Sequence, residues 1–436
     1  MDSFTPNASG HALKSNDRIF ATYLIETAHP LERAAATMAG EQSTGSFMRV
    51  PGETAELLEH HAARVESLEQ IDERESPALP YATVPRGNEG NPRYRRARVV
   101  LSFPISNMGP SLPNLLATVC GNLYELQEFS GLRLVDLQLP RAFADAYLGP
   151  QFGIEGTRKL TGVNGRPIVG TIIKPSVGLS PESTASLVGQ MVNAGLDFFK
   201  DDELQANGPH CPFDARVDAV MNVINRHADK TGKKAMFAFN ITDEIDLMLR
   251  HHDKVLSAGG TCIMVSMHHV GIPTVSHLRR HSQLPIHGHR NGWGMYTRSP
   301  MLGVEYVVMQ KLWRLAGIDH LHCNGLRNKF WEPDDSVVAS ARNVLTPLFD
   351  DKPMVAMPVL SSAQWAGQAV DSYARIQSLD VMYVCGAGIV AHPGGVAAGV
   401  ASVQQAWQAA AEGVSLEVYA RSHPELAQAL VHYGDR

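Results

Sequence analysis

Residues 168–203 read IVGTIIKPSVGLSPESTASLVGQMVNAGLDFFKDDE and hold one strand–helix–strand unit. Ile168 to Ile173 is a β-branched run of strand length. Ser180 stands as a helix N-cap, and Pro181 takes the first helical position, where no amide donor is needed. Leu187, Val188, Met191 and Val192 form the buried stripe of that helix, and Gly195 ends it. Leu196 to Phe199 is the second strand, and it stops abruptly in Lys200-Asp201-Asp202-Glu203. An apolar strand ending in a knot of charge has its tip facing something polar. In an extended segment Lys200 and Asp202 point to the same side, and Glu203 at the turn can swing toward them. Two readings follow. One is a solvated loop in which Lys200 pairs with an acid. The other is a hard-cation site, since oxygen ligands suit Mg²⁺, with Asp201 left as an outward-facing acid. An ammonium cannot ligate a cation, so in the second reading Lys200 is either a neighbour of the metal or chemically changed.

The same rhythm recurs along the chain. Short β-branched or aromatic runs, each followed by a turn and an amphipathic helix, lie at Ile168 to Ile173, Leu196 to Phe199, Ala235 to Phe239, Cys262 to Val265, Leu284 to Gly288, Ile318 to Leu321, Met354 to Val359 and Val381 to Val384. Eight strands with helices between them predict a (β/α)8 TIM barrel, because right-handed crossovers make a parallel sheet of this length close. The last helices, Ser402 to Ala411 and Pro424 to His432, are expected outside it. Ahead of the barrel, strands at Ile19 to Ile25, Arg98 to Pro104 and Leu132 to Leu139 alternate with helices at Pro30 to Ala39 and Leu112 to Asn122. That pattern predicts a compact α+β domain of ferredoxin-like type. The expected division is a mobile polar tail over 1–17, the α+β domain over 18–147 and the barrel over 148–436.

Composition limits the function classes. The 436 residues are 44% hydrophobic and 19% charged, with a net charge of −6, which favours neither nucleic acid nor an anionic membrane as partner. No apolar run reaches transmembrane length, and the polar N-terminus lacks a signal-peptide core, so a cytoplasmic protein is expected. The five cysteines are scattered without a Cys-x-x-Cys pair and predict neither disulfides nor zinc.

Barrels of this kind carry their chemistry at the C-terminal strand ends. Here those ends bear Lys174; then Lys200, Asp202 and Glu203; Asn240; His268-His269; His289-Arg290; His322, with Lys329 in the loop beyond; Ser361; and Gly386-Ala387-Gly388. A lone histidine at a strand end is most simply a hydrogen-bonded structural residue. A polar or glycine-rich feature at nearly every end of one mouth argues for a site. Arg290, Ser361 and the amides near Gly386 have the character of a phosphate or carboxylate clamp. Lys174 and Lys329 suit general acid–base work if burial lowers their pKa, and a cation at Asp202 and Glu203 would polarise a carbonyl. Together these point to proton abstraction or C–C bond chemistry beside a carbonyl of a phosphorylated sugar derivative.

On these motifs the chain resembles the RuBisCO superfamily over nearly its whole length. Gly170-Thr171-Ile172-Ile173-Lys174-Pro175 with Gly178-Leu179-Ser180 is similar to the family's first-strand lysine motif, and Gly195 to Glu203 to its metal motif. His287-Gly288-His289-Arg290, Asp319-His320-Leu321-His322, Lys329, Pro358-Val359-Leu360-Ser361, Gly386-Ala387-Gly388 and Ala391-His392-Pro393 also match. The resemblance implies that CO₂ carbamylates Lys200, and that the carbamate joins Asp202 and Glu203 in binding Mg²⁺. It implies catalytic roles for Lys174, His289 and Lys329, and one phosphate held by Arg290, His322 and Ser361 with Gly386 and Gly388. Glu41-Gln42-Ser43-Thr44-Gly45 and Gly121-Asn122 resemble segments through which one subunit completes its partner's site, so Glu41 and Asn122 imply a homodimer or an oligomer of dimers.

Departures from the family pattern narrow the expectation. Ser176 stands where RuBisCO has a second lysine, Ser46-Phe47 where it has Thr-Trp, Ser362-Ala363 where Gly-Gly follows the serine, and Ala387 where the second of three glycines lies. Several of these positions line the second phosphate site. A substrate with one phosphate follows, and the chain is most similar to the RuBisCO-like (form IV) proteins, which do not fix CO₂. That group includes enolases and isomerases of methionine salvage, and enzymes of apionate breakdown acting on 3-oxo-isoapionate 4-phosphate as decarboxylase or transcarboxylase/hydrolase. The expected activity is Mg²⁺-dependent C–C cleavage of a 3-oxo sugar-acid monophosphate in carbohydrate catabolism. The alternative is an enolase or tautomerase of methionine salvage.

Overall fold

A computed structural model describes residues 17–45, 50–87 and 90–434. The expected tail, apart from Asp17, and the comparison at Ser46-Phe47 lie outside the described residues. The chain forms two compact units. One groups the described residues up to Tyr147 with Gly292–Leu312, and the other holds Leu148–Asn291 and the described residues from Trp313 onward.

The first unit is built on a five-stranded sheet of β1 (Arg18–Thr27), β2 (Arg64–Arg74), β3 (Tyr94–Pro104), β4 (Phe129–Gln138) and β10 (Leu302–Val304), in the order β10-β4-β1-β3-β2. β1 is central because its apolar residues are buried almost throughout, and it pairs antiparallel with β3 and β4. β2 carries Glu66, Glu69, Asp72 and Glu73 and leaves nearly every side chain in solvent. Those charges blunt an exposed sheet edge, and they also hide the strand from an apolar-alternation reading.

The second unit is a closed parallel barrel of β5 (Ile168–Ile172), β6 (Phe198–Lys200), β7 (Met236–Asn240), β8 (Cys262–Ser266), β9 (Ile286–His289), β11 (His320–His322), β12 (Met357–Leu360) and β13 (Met382–Val384). Each lies within a few residues of its expected position, and the fold is the predicted TIM barrel with an N-terminal α+β domain. Ile168, Phe198, Met236, Met264, Met357, Val359 and Met382 fill its interior, so the barrel is a packed core with its chemistry at one mouth. The helix Pro181–Asn193 begins as expected: the Ser180 hydroxyl oxygen accepts from the Ser183 amide. No described helix is long and apolar enough to cross a membrane.

Asp197, immediately before β6, is fully buried. It accepts hydrogen bonds from Arg166 (2.6 Å), Lys233 (2.7 Å) and the Val169 amide (3.0 Å), which tie β6 to β5 and to the turn before β7. Burial alone would raise its pKa, but Arg166 and Lys233 outweigh it and hold the carboxyl below the usual aspartate value. A carboxyl depressed in the folded state stabilises the protein above its unfolded pKa, and that stability is lost as pH falls through the folded pKa. Asp197→Asn is therefore expected to cost about 2 kcal/mol near neutral pH, with the deficit vanishing in acid. Urea midpoints across pH check it; an unchanged deficit in acid contradicts it.

Candidate active site

Lys200 belongs to β6 and not to a loop: it pairs in register with Ile172 and Ala238 and is 1% exposed. The solvated-loop reading of this segment is thereby excluded. Its Nζ donates to the Asp201 carbonyl (2.8 Å) and stands 3.7 Å from Glu203 Oε2. Burial drives the Lys200 pKa below its ordinary value, against the pull of Glu203, Asp202 and Asp201. Asp202 Oδ1 accepts the Leu204 amide, and Oδ2 lies 2.5 Å from Lys174 Nζ, which also donates to Ser176. Asn240, at the end of β7, braces the turn by donating to the Glu203 carbonyl.

Asp201 is not the outward-facing acid expected. It is 1% exposed, and its Oδ2 accepts from Arg216 (3.1 Å) and the Asn240 amide (2.9 Å). The strand twists into its turn here, and the buried guanidinium of Arg216 draws the carboxylate into the wall behind the site.

From β9, His289 reaches Glu203, with Nε2 to Oε2 at 3.4 Å. Its Nδ1 is 2.9 Å from Asn291 Oδ1 and 3.3 Å from the Asn291 amide, so each neutral tautomer keeps a partner and the ring can exchange a proton without losing its seat. Burial and Lys200 lower its pKa to about 4 despite Glu203, which leaves a neutral imidazole at pH 7. The His289 ring packs on that of His322 at 4.5 Å, and His322 Nδ1 lies 3.2 Å from Ser361 Oγ on β12. Lys174, Asp202, Lys200, Glu203, His289, His322 and Ser361 thus form one continuous path of contacts across five strand ends.

The remaining expected residues are placed differently. Arg290 is bound by Glu332 (2.7 Å), which also accepts from Asn324 (2.7 Å) and Ser336. The Arg290–Glu332 pairing had no signal in sequence, because Glu332 lies in an irregular loop far along the chain. Lys329 is exposed with its ammonium 5.2 Å from the Phe330 ring, and no described hydrogen bond or ion pair joins it to Lys174 or His289. His268 stands edge-on to Trp313, with ring centres 5.6 Å apart. A Cβ at Gly388 would meet Gln364 O at 2.4 Å and Trp365 Cβ at 2.6 Å, so only glycine fits there, while the backbone at Gly386 is open. Ser362 and Ala363 hold φ of +72° and +62°, retaining with side chains a left-handed turn that suits glycine. In the first unit, Asn122 Nδ2 donates to Glu41 Oε1 at 3.2 Å, so these two come together as one polar pair.

The donors at the mouth fit a hard cation. Asp202 and Glu203 present carboxylate oxygens, and Lys200 is a desolvated amine whose lowered pKa favours the neutral form, the nucleophile that would add to CO₂. Among the described residues, a separate cluster of metal-ligand types, with its ligand atoms within 4.8 Å of one another, lies at His252, Asp253 and His281. There the Gln283 amide occupies His252 Nε2 and Asp253 binds both rings, so the group is satisfied as a hydrogen-bonded set.

Two family profiles match the chain: the ribulose bisphosphate carboxylase large chain catalytic domain over residues 153–433, and the N-terminal domain of the same chain over residues 11–143. A 3-oxo-isoapionate-4-phosphate transcarboxylase/hydrolase of Xanthobacter autotrophicus is 53% identical over 415 residues, covering 95% of this chain and 99% of the relative. A 3-oxo-isoapionate-4-phosphate decarboxylase of Rhizobium etli is 47% identical over 421 residues, covering 96% and 99%. The crystal structure of a rubisco-like protein from Burkholderia fungorum superposes with a TM-score of 0.90 at 44% identity, covering 96% of this chain and all of that one.

Proposed function

Because the chain belongs to the RuBisCO large-chain family, we propose that it is a RuBisCO-like enzyme cleaving a C–C bond of a 3-oxo sugar-acid monophosphate such as 3-oxo-isoapionate 4-phosphate, not a CO₂-fixing carboxylase. The reading is carried by relatives at 47–53% identity over nearly the full length that are named for that substrate. The geometry supports it chemically. In a 3-oxo acid the carboxyl carbon leaves with its bond pair passing into the ketone, so the developing charge sits on the ketone oxygen and a proton must then be returned to carbon. Lys200, as its carbamate, with Asp202 and Glu203 would hold Mg²⁺, which supplies positive charge next to that oxygen. Lys174, paired to Asp202, adds a second cation at the same mouth. His289 is the group to hold and return the proton, because it is neutral and both its tautomers are seated. Lys329 would join from its loop, and Arg290, Ser361 and the Gly386–Gly388 turn would bind the single phosphate.

With carboxyl-¹³C-labelled substrate, Mg²⁺ and bicarbonate, the label is expected either as CO₂, for a decarboxylase, or in a shorter carboxylate product, for a transcarboxylase/hydrolase. Solvent exchange of a substrate C–H without loss of the bond would overturn the proposal in favour of a tautomerase.

We also propose a homodimer as the smallest working unit, with Glu41 and Asn122 of one subunit completing the other's site. Lys200→Ala and Asn122→Ala chains, each inactive alone, are then expected to regain activity when assembled together. No recovery in mixed dimers would contradict shared sites.

A further inference from the structure

We infer that Glu332 is a positioning residue that couples the phosphate clamp to Lys329, so that a phosphate seated on Arg290 orders the loop carrying the lysine. This inference rests on the proposed site and deepens it, since it assigns what the substrate's phosphate does besides anchoring.

The coupling starts from a buried ion pair. Arg290, at the end of β9, is 9% exposed and Glu332 is 6% exposed, and the two meet at 2.7 Å. A carboxylate so far withdrawn from water needs a compensating cation, so the place of Glu332 follows that of the guanidinium. An arginine has five N–H donors in a planar fork and can hold a carboxylate on one edge and a phosphate on another. Phosphate on Arg290 fixes the guanidinium, and with it Glu332.

Glu332 lies three residues after Lys329 in a cross-braced loop. Its Oε2 also accepts from Asn324 Nδ2 at 2.7 Å, and its Oε1 accepts from the Ser336 hydroxyl at 2.8 Å, so the carboxylate joins the entry of the loop to its exit. Asn328, immediately before Lys329, donates from Nδ2 to the carbonyls of Gly325 (3.1 Å) and Glu332 (3.2 Å), and its Oδ1 accepts the Phe330 amide (2.8 Å). The backbone on both sides of Lys329 is thereby tied to Glu332. Lys329 is itself exposed, so its placement depends on that backbone and not on burial of its own side chain. Asn324 Oδ1 in turn accepts from the Ser362 hydroxyl at 3.0 Å, next to Ser361 of the clamp. Arg290, Glu332, Asn324 and Ser362 thus link the ends of β9, β11 and β12 in one polar circuit.

The consequence concerns specificity. The substrate's phosphate is remote from the bond that breaks, and the binding energy of such a group can serve to place a reacting group. A substrate lacking phosphate then leaves Lys329 unplaced and loses kcat as well as affinity. The site selects phosphorylated acids at the chemical step, not only on binding.

Hydrogen exchange of the full chain, with inorganic phosphate as the probe, tests this without turnover. In the wild type, phosphate is expected to slow exchange across Gly325 to Glu332. In Glu332→Ala that slowing is expected to be lost while the segment at Ser361 still responds. Asn328→Ala, which leaves no buried charge unpaired and so does not endanger the fold, is expected to show the same separation. Absence of slowing in the wild type at any phosphate concentration, or a wild-type response of the loop in either variant, overturns the inference. Loss of the response at both segments also overturns it, because Glu332 would then only build the clamp. With substrate at saturation, Glu332→Ala is expected to lower kcat about tenfold or more, and Glu332→Gln, which keeps an acceptor for Arg290 and Asn324, to recover part of the loss. A change in KM alone contradicts the coupling. Absence of any turnover of 3-oxo acid phosphates by the wild type would defeat the proposed reaction, while hydrogen exchange would still decide the coupling.

Discussion

Lys200→Ala is expected to fold like the wild type and to lose about 10³-fold or more in kcat, together with its response to Mg²⁺ and CO₂. The side chain is 1% exposed on β6, so its amine cannot be replaced by one from solvent or a neighbour. Two of the three acids around it keep other cations: Lys174 for Asp202 and Arg216 for Asp201. The variant is therefore expected to lose the proposed metal ligand without collapsing the acidic turn. Lys200→Met, which keeps most of the buried volume, should be equally inactive. Steady-state kinetics with and without Mg²⁺ checks this, and a variant retaining more than a tenth of wild-type kcat would remove Lys200 from the chemistry.

The second large effect is on stability. Arg216→Met is expected to cost about 3–5 kcal/mol, because it leaves Asp201 as an uncompensated buried charge. Arg216 is fully buried and donates to Asp201 (3.1 Å), the Ala206 carbonyl (2.7 Å) and the Cys211 carbonyl (3.1 Å), fastening the turn after β6 to the following helix. Burial already raises the Asp201 pKa against Arg216 and Lys200, and removing the guanidinium raises it further. An acid with a raised folded pKa destabilises most where it must be ionised, so the deficit should be greatest at high pH and shrink as pH falls. Urea midpoints for Arg216→Met and for Arg216→Met with Asp201→Asn test it. Failure of the second change to recover stability would mean the cost lies in lost packing.

What could be read from sequence divides along physical lines. The barrel was legible because each unit repeats a strand, a cap, a stripe and a stop, as in Ile168 to Phe199. β2 was not, because Arg64–Arg74 alternates no apolar residues and sits at an edge where charge serves solubility better than burial. β10 was not, because Leu302–Val304 is three residues long and pairs with β4, far back in the chain. At the site, the strand-end residues that the barrel rule gathers at one mouth meet in pairs that no sequence spacing specifies: Lys174 with Asp202, and Lys200 and His289 with Glu203. Partners supplied by irregular segments were invisible, as with Glu332 for Arg290 and the Thr157 hydroxyl for His320. A loop side chain acquires its neighbour from tertiary packing, which no local period encodes.

The segment from Asp197 to Glu203 concentrates this division. Asp197 anchors the strand from behind, Phe198 and Phe199 are buried in the barrel unit, Lys200 reaches the mouth, Asp201 turns back to Arg216, and Asp202 and Glu203 open toward Lys174 and His289. The measurement that tests its assigned role most directly is ¹³C NMR of the protein equilibrated with ¹³CO₂ and Mg²⁺. One carbamate resonance per chain is expected in the wild type, lost in Lys200→Ala and retained in Lys174→Ala. A wild type that forms no carbamate while turning over substrate, or a carbamate that survives Lys200→Ala, would contradict the account.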